Sequence, residues 1–170
     1  MTENGVALRL AGVIEQSLVD GPGLRMAVFT QGCPHHCAGC HNPGTHSFAG
    51  GFQADVGALL AAFDENPILA GATLSGGEPL VQAAGLITFA RGVKARGKDV
   101  WCYTGYVFED VLVMAGRDEA LSRLLRYVDV MVDGRFDAAK KSASLRYRGS
   151  SNQRIVNVSA SCKKQRTVLL

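Results

Sequence analysis

The sequence predicts an α/β fold in which a mostly parallel sheet forms a partial, open (β/α) barrel. Short apolar segments alternate with segments of helical periodicity along most of the chain, which is typical of parallel β/α units. Polar or glycine-rich residues follow each apolar segment, as they do where strands end at the active-site edge of a β/α barrel. A closed eight-stranded barrel takes about 250 residues, so a chain of 170 residues predicts a partial one.

The predicted elements follow in order along the chain. Strands are expected at residues 26–30, 72–75, 100–103 and 128–132, with a further one at 155–158. Apolar residues at helical spacing predict helices that include Val56, Leu86, Phe108 and Leu121. The first should end near Pro67, because proline disfavours continuation, and Asp118 should cap the last. We expect one domain over residues 1–170, with a core at about 20–158 and a short extension at each end.

Composition and charge narrow the class of protein. The net charge of +3 and the pI of 8.7 are only mildly basic, so nucleic acid is not the expected partner. A basic C-terminal region could steer a protein partner or be an ordinary solvated face; it comprises Lys140, Lys141, Arg146, Arg148 and Arg154. The first ten residues lack a signal-peptide pattern, and no apolar run approaches the about 20 residues of a spanning helix. We therefore expect a cytoplasmic protein with no membrane partner.

Three of the five cysteines lie in one short loop, as Cys33-x3-Cys37-x2-Cys40. Unpaired cysteines at such spacing in a reducing compartment indicate a metal or catalysis. Three thiolates suit a 4Fe-4S cluster whose fourth iron stays open to a small molecule, whereas structural zinc needs four protein ligands. Zinc remains an alternative, because further donors are available: His35, His36, His41, His46, Cys102 and Cys162.

Two further strand ends carry candidate binding residues. Gly76 and Gly77 lack side chains and could let the backbone approach a ligand, although a glycine pair also suits an ordinary turn. Glu78 is expected to orient that loop. Thr104 and Asp133 end the neighbouring strands, where they could contact a cofactor or simply form solvated loop ends. Cys102, inside an apolar strand, is expected to be a core residue.

The string CPHHCAGCH at residues 33–41 resembles the signature of the radical S-adenosylmethionine superfamily. The resemblance implies that Cys33, Cys37 and Cys40 ligate the cluster and that the methionyl group of S-adenosylmethionine chelates its open iron. His41 stands where the superfamily usually has an aromatic residue beside the adenine, and Gly77 falls in the element that binds the methionyl amino group. Together with the residues at the strand ends, the candidate cofactor-binding residues are Gly39, Cys40, His41, Gly76, Gly77, Glu78, Thr104 and Asp133.

Three more strings, WCYTGY, VMVDGRF and RYRGSSNQR, resemble the activating proteins of anaerobic ribonucleoside-triphosphate reductases, from about Asp20 to Arg154. That resemblance implies one-electron cleavage of S-adenosylmethionine, with reduced flavodoxin or a similar donor supplying the electron. The resulting 5′-deoxyadenosyl radical would form a glycyl radical on the reductase. Activation of another glycyl radical enzyme, such as pyruvate formate-lyase, is the alternative enzyme function. A zinc-stabilised binding module is the alternative of another class.

Overall fold

The computed structural model describes residues 7–170, which form an α/β fold around one seven-stranded sheet. The strands are β1 (Arg9–Ser17), β2 (Arg25–Thr30), β3 (Phe52–Gln53), β4 (Gly71–Gly76), β5 (Asp99–Tyr103), β6 (Val130–Asp133) and β7 (Arg154–Asn157). Their order across the sheet is β3-β1-β2-β4-β5-β6-β7, and β2, β4, β5 and β6 are parallel. This confirms the α/β class and the mostly parallel middle. The curvature of a partial barrel does not follow from strand order and stays a prediction.

The outer strands of the sheet run antiparallel to their neighbours. β1 pairs with β2 with Leu10 opposite Thr30, and β7 pairs with β6 with Ile155 opposite Val132. The sequence predicts the β7 segment as a strand but predicts none at β1. The reason is that five of the nine β1 residues are exposed, and its apolar stretch is interrupted by Gly12 and followed by the polar residues Glu15, Gln16 and Ser17. The sequence predicts only a short extension before residue 20, but the structure shows that this segment contributes a strand to the sheet.

Residues 7–170 contain five α-helices: α1 (Val56–Asp64), α2 (Ala83–Ala95), α3 (Phe108–Ala115), α4 (Glu119–Leu125) and α5 (Val158–Lys164). The first four lie between strands, and α5 follows β7. The first four confirm the predicted helices. The Asp118 side chain accepts from the Leu121 N–H at 3.1 Å, so the predicted cap is confirmed. The short α5 is not predicted by periodicity; the Asn157 side chain caps it by accepting from the Ala160 N–H at 3.0 Å.

The C-terminal residues cover the outer edge of β7. The Asn157 N–H donates to the Val168 carbonyl at 2.8 Å, and the Leu170 N–H donates to the Ile155 carbonyl at 3.0 Å. These bonds satisfy backbone groups that an edge strand would otherwise leave unpaired. The terminal segment, to which the sequence assigns no role, thus completes the sheet.

Alternation along the parallel strands separates a core face from a cavity face. Val28, Leu74 and Cys102 belong to the hydrophobic core, where α2 packs against β4 and β5. The residues that follow them, Phe29, Ser75 and Tyr103, line a cavity on the opposite face. Cys102 is fully buried, as expected of a core residue. Burial raises the pKa of its thiol well above the ordinary value, with the Glu78 carboxylate adding to the rise.

Parallel pairing brings the predicted loops to the same edge of the sheet. Thr30 lies opposite Gly76 at the ends of β2 and β4, and Tyr103 lies opposite Val132 at the ends of β5 and β6. The cysteine loop and the glycine loop therefore begin side by side. Within residues 7–170 no helix has the length and apolar character needed to span a bilayer.

Candidate cluster and cofactor site

A cavity of about 540 Å³ lies at the carboxyl ends of the parallel strands. Loops from four strands supply its walls. Most of the predicted cluster and cofactor residues line it: Cys33, Cys37, Cys40, His41, Gly76, Gly77 and Thr104. Residues far apart in sequence therefore meet in a single site, which has the concave form typical of cofactor pockets.

The cysteine loop, residues 31–50, is fixed to its surroundings by backbone hydrogen bonds. The Gly32 N–H donates to the Thr45 carbonyl at 2.8 Å, and the Cys33 N–H donates to the His46 carbonyl at 3.1 Å. Gly39 has a φ of +72°, a conformation that glycine adopts without strain and that suits a tight turn between the cysteines. The Asn42 N–H points at the Cys40 Sγ at 3.4 Å. A backbone amide thus approaches a predicted ligand sulfur.

The three cysteines are free thiols in different environments: Cys33 is buried, and Cys37 and Cys40 are half-buried. Burial raises the pKa of the Cys33 thiol; the backbone amide of His35 opposes that rise, and the Glu78 carboxylate adds to it. A thiol must lose its proton to ligate iron, and bound metal favours the thiolate. Burial therefore disfavours the Cys33 thiolate, and a bound cluster would compensate by stabilising its negative charge.

Within residues 7–170, no three His, Cys, Asp or Glu side chains converge closely enough to share one metal ion. A 4Fe-4S cluster makes a different demand, because each cysteine binds a different iron of an extended cluster. The spread of the three thiols around one cavity fits that arrangement.

Gly76 and Gly77 are needed for loop packing. Gly76 has a φ of +98°, and a Cβ on Gly77 would clash with the Gly32 carbonyl. The Gly77 N–H donates to the Thr30 carbonyl at 2.8 Å, and the Glu78 N–H donates to the Gly32 carbonyl at 2.8 Å. The glycine loop therefore lies directly against the start of the cysteine loop. Both N–H groups are used within the protein, so any cofactor contact of Gly77 must use other atoms.

Glu78 is completely buried and does not line the cavity. Its carboxylate accepts from His35 Nε2 at 2.7 Å, from the Gly105 N–H at 2.8 Å and from the Leu80 N–H at 3.1 Å. The Thr104 hydroxyl lies 2.9 Å and 3.0 Å from its two oxygens. This agrees with the expected role in orienting the loop and gives no support to a direct cofactor contact.

Asp133 also points away from the cavity. The side chain is buried, and its carboxylate accepts from the Arg154 guanidinium at 2.5 Å and 3.1 Å and from the Phe108 N–H at 2.7 Å. Arg154 continues to Glu109 at 2.7 Å. Asp133 therefore joins β6, β7 and the start of α3, and its geometry does not support the predicted cofactor contact. Arg154, expected in a basic surface region, is committed to these two carboxylates.

His41 lies at the cavity wall beside Phe136, with ring centroids 4.8 Å apart. A Cβ on Gly149 would lie 2.9 Å from the Phe136 ring, so the small residue lets this part of the chain pack closely against it. His41 and Phe136 thus form an aromatic wall of the kind that could receive a base.

The string RGSSNQR contributes to the site in a way that sequence reasoning missed. The Gln153 side chain donates to the Gly134 carbonyl at 3.0 Å and accepts from the Gly149 N–H at 2.8 Å. The Asn152 side chain donates to the Arg135 carbonyl at 2.8 Å. Two amide side chains therefore fasten this loop to the end of β6, where Gln153 lines the cavity. Neighbouring Asn and Gln residues are the available sequence signal, because their side chains can replace backbone partners.

From the sequence, His46 is only a possible zinc ligand, and its place beside the candidate cluster site was not predicted. It lines the cavity, and its Nε2 is buried without a hydrogen-bond partner in the described chain. A buried ring nitrogen without a partner is costly, and such groups in native proteins usually meet an ion, water or ligand. The sulfur atoms of a cluster accept hydrogen bonds. His46 is therefore a candidate hydrogen-bond donor to a cluster in this cavity.

Comparison with known protein families places residues 19–156 in the family described as "4Fe-4S single cluster domain". Among solved structures, QueE from Escherichia coli is similar with a TM-score of 0.50 at 16% identity, over 61% of this chain and 55% of that one. At so low an identity the likeness concerns the fold alone.

Several curated relatives carry the same name, anaerobic ribonucleoside-triphosphate reductase-activating protein. The one from Enterobacteria phage T4 is 36% identical over 81% of this chain and 86% of its own. The one from Vibrio cholerae is 35% identical over 80% of this chain and 89% of its own. The one from Escherichia coli K12 is 33% identical over 80% of this chain and 90% of its own. The similarity thus extends over most of each protein.

Proposed function

Because the chain belongs to the 4Fe-4S single cluster domain family and to the anaerobic ribonucleoside-triphosphate reductase-activating proteins, we propose that it activates such a reductase by radical S-adenosylmethionine chemistry. The observation that carries the proposal is the cavity shared by the three cysteines and the two glycines. When bound, the cluster and S-adenosylmethionine supply one-electron cleavage of the cofactor's C5′–S bond and hydrogen abstraction from a glycine of the reductase. Reduced flavodoxin or a similar protein would supply the electron.

Cys33, Cys37 and Cys40 would hold three irons and leave the fourth for the cofactor. The backbone hydrogen bonds from Gly32 to Thr45 and from Cys33 to His46 hold the start of this loop against its end.

The rest of the cavity offers two kinds of surface to the cofactor. Gly76, Gly77 and Thr104 form a wall without large side chains beside the cysteine loop, where the methionyl group would lie. His41 and Phe136 form the aromatic wall, where the adenine would lie. Arg135 and Arg148 line the cavity as cations able to meet a carboxylate. These residues bind and orient the cofactor, and the cavity's open side would admit a segment of the reductase.

The alternatives have less support. Activation of pyruvate formate-lyase would use the same cluster chemistry, but the relatives compared are named for the reductase. The zinc-stabilised module is disfavoured because the matching family is an iron-sulfur one.

The test is anaerobic activation of a purified reductase. Iron-loaded protein, S-adenosylmethionine, a one-electron reductant and the reductase should give a glycine-centred doublet in the electron paramagnetic resonance spectrum. Pyruvate formate-lyase in place of the reductase should give none. Cofactor cleavage without a doublet on the reductase would refute the proposed partner, and colourless protein carrying stoichiometric zinc would refute the cluster.

A further inference from the structure

Three active-site loops meet at one buried carboxylate, that of Glu78. Carboxylates are rarely fully buried unless they are paired or hydrogen-bonded, because removing the charge from water is costly. Glu78 is 0% exposed. Its position requires donors from the protein, and every donor the structure shows comes from a loop at the edge of the sheet that carries the cavity.

The donors tie two other segments to the glycine loop, and one further donor lies within the glycine loop itself. His35 belongs to the cysteine loop and lies 2.7 Å from Glu78 Oε2. Thr104 and Gly105 follow β5, at 2.9 Å from Oε1 and 2.8 Å from Oε2. Leu80, at 3.1 Å from Oε1, begins the turn that leads to α2. Hydrogen bonds to a charged group are stronger than those between neutral groups, so one side chain strongly couples three loops.

The His35 ring is enclosed on several sides. It is 8% exposed as a residue, and its centroid lies 4.5 Å from that of Tyr106 in an edge-to-face arrangement. A Cβ on Gly105 would clash with the same ring. The segment between Cys33 and Cys37 is thus held by a side chain that lies at the cavity wall and binds the carboxylate of the glycine loop.

We infer that Glu78 and His35 are positioning residues that hold the cysteine loop in register with the glycine loop and Thr104, and that Glu78 does not itself contact the cofactor. The inference rests on the proposed function, since register matters only if a cofactor bridges the two loops. An open iron held by the cysteines and a methionyl group held beside Gly77 must lie at a fixed separation. The His35–Glu78 bond sets that separation through the protein.

The decisive comparison is between two substitutions of His35. His35→Leu removes the donor, whereas His35→Gln keeps an N–H group able to reach Glu78. Loss of groups that orient ligands around a metal typically costs 10-fold to 100-fold in affinity or activity. In iron-loaded full-length protein we expect His35→Leu to raise KM for S-adenosylmethionine about 10-fold, with iron content unchanged and kcat affected less. His35→Gln should have a KM close to that of the wild type. If the ring only filled space, the glutamine would not be expected to rescue KM.

The neighbouring His36 provides a matched control. It is exposed and has a φ of +48°, a conformation that asparagine tolerates. His36→Asn should leave KM for S-adenosylmethionine near the wild-type value. Equal KM values for wild type, His35→Leu and His35→Gln would overturn the inference. Cofactor binding lost in Glu78→Gln but intact in His35→Leu would also overturn it, because Glu78 would then act on the cofactor directly.

Hydrogen exchange separates this inference from the proposed function. In the same iron-loaded protein, amides of residues 33–40 should exchange faster in His35→Leu than in wild type or His35→Gln, while those of α2 stay unchanged. If wild-type protein cleaves no S-adenosylmethionine, the proposed function fails, and the exchange result still decides whether His35 holds the loop. Unchanged exchange at residues 33–40 in His35→Leu would refute the positioning role itself.

Discussion

Glu78 and Asp133 are both buried carboxylates at the carboxyl ends of parallel strands, yet they serve different regions. Glu78 accepts from His35 and Thr104 and so connects loops that form the cavity. Asp133 accepts from Arg154 and the Phe108 N–H and so connects β6, β7 and α3. We call these the cysteine-loop side and the β7 side of the sheet edge.

The comparison shows that a carboxylate at a strand end is not by itself evidence of ligand binding. Asp133 has a cationic partner that compensates its charge within the fold, and that pair fastens an antiparallel strand to the parallel sheet. Within residues 7–170, Glu78 has no arginine or lysine hydrogen-bond partner and depends on loop donors instead. We therefore expect changes on the cysteine-loop side to alter chemistry and changes on the β7 side to alter stability.

The largest expected effect is on the cysteine-loop side. Cys37→Ala removes one of three proposed cluster ligands, so cofactor cleavage under reducing conditions should be lost. The measurement is 5′-deoxyadenosine formed by iron-reconstituted protein. Cys162→Ala is the matched control, since Cys162 is also half-buried but does not line the cavity. Retained cleavage in Cys37→Ala would reject its assignment as a ligand.

On the β7 side, Asp133→Ala should lower the free energy of unfolding by about 3 kcal/mol, because it leaves a partly buried Arg154 without its buried partner. Urea denaturation measures this change. Asp137→Ala, which removes an exposed cap, should cost about 1 kcal/mol or less. Folded Asp133→Ala should keep its KM for S-adenosylmethionine. A raised KM with unchanged stability would mean that Asp133 does reach the cofactor, and the contrast between the two sides would fail.

A smaller effect is expected from His46, again on the cysteine-loop side. Hydrogen bonds to sulfur stabilise the more negative, reduced state of a cluster. His46→Phe should therefore shift the midpoint potential of the cluster to lower values, and His46→Gln, which keeps a donor, should shift it less. Without metal, the free energy of unfolding of His46→Phe should be about 1 kcal/mol higher than that of the wild type, because the substitution removes a buried unpaired nitrogen. An unchanged potential in His46→Phe would mean that Nε2 does not face the cluster.

The smallest effect is expected at Glu109 on the β7 side. The hydrogen bonds from Arg154 and then Thr167 lower the pKa of Glu109 to about 2, from an ordinary value of 4.5. Its stabilising effect is therefore complete above pH 4.5 and is lost as pH falls towards 2. The stability difference between wild type and Glu109→Gln should shrink from about pH 5 to about pH 3 in urea denaturation. Added salt should reduce this stability difference, since Glu109 is exposed. A stability difference that does not change with pH would contradict the assigned ion pair.

Much of the fold was predictable because the parallel strands are buried on both faces. Such strands appear as apolar runs, as at β2 and β6, and amphipathic helices such as α3 show their own periodicity. β1 and α5 were not predictable in this way. β1 is mostly exposed, and α5 has only seven residues, too few for a clear periodic pattern.

The candidate site divides in the same manner. The spacing of Cys33, Cys37 and Cys40 predicts a three-thiolate site from local sequence, because ligand spacing within one loop is a local property. The sequence predicts that Glu78 orients its loop and leaves Asp133 as a candidate cofactor contact, but it does not identify the partner of either carboxylate. Their partners, His35 and Arg154, lie 43 and 21 residues away. Such long-range contacts depend on how the strands are ordered.

The sequence by itself determined the α/β class, the cysteine and glycine loops, and the resemblance that points to cluster and cofactor. These are properties of local pattern, written in the order of residues along one loop or one strand. Only the tertiary structure decided which partners bind Glu78 and Asp133, and that His46 lines the cavity while its Nε2 is buried without a partner in residues 7–170. The physical reason is that a buried polar group is defined by the partners that replace its water, and those partners come from distant parts of the chain.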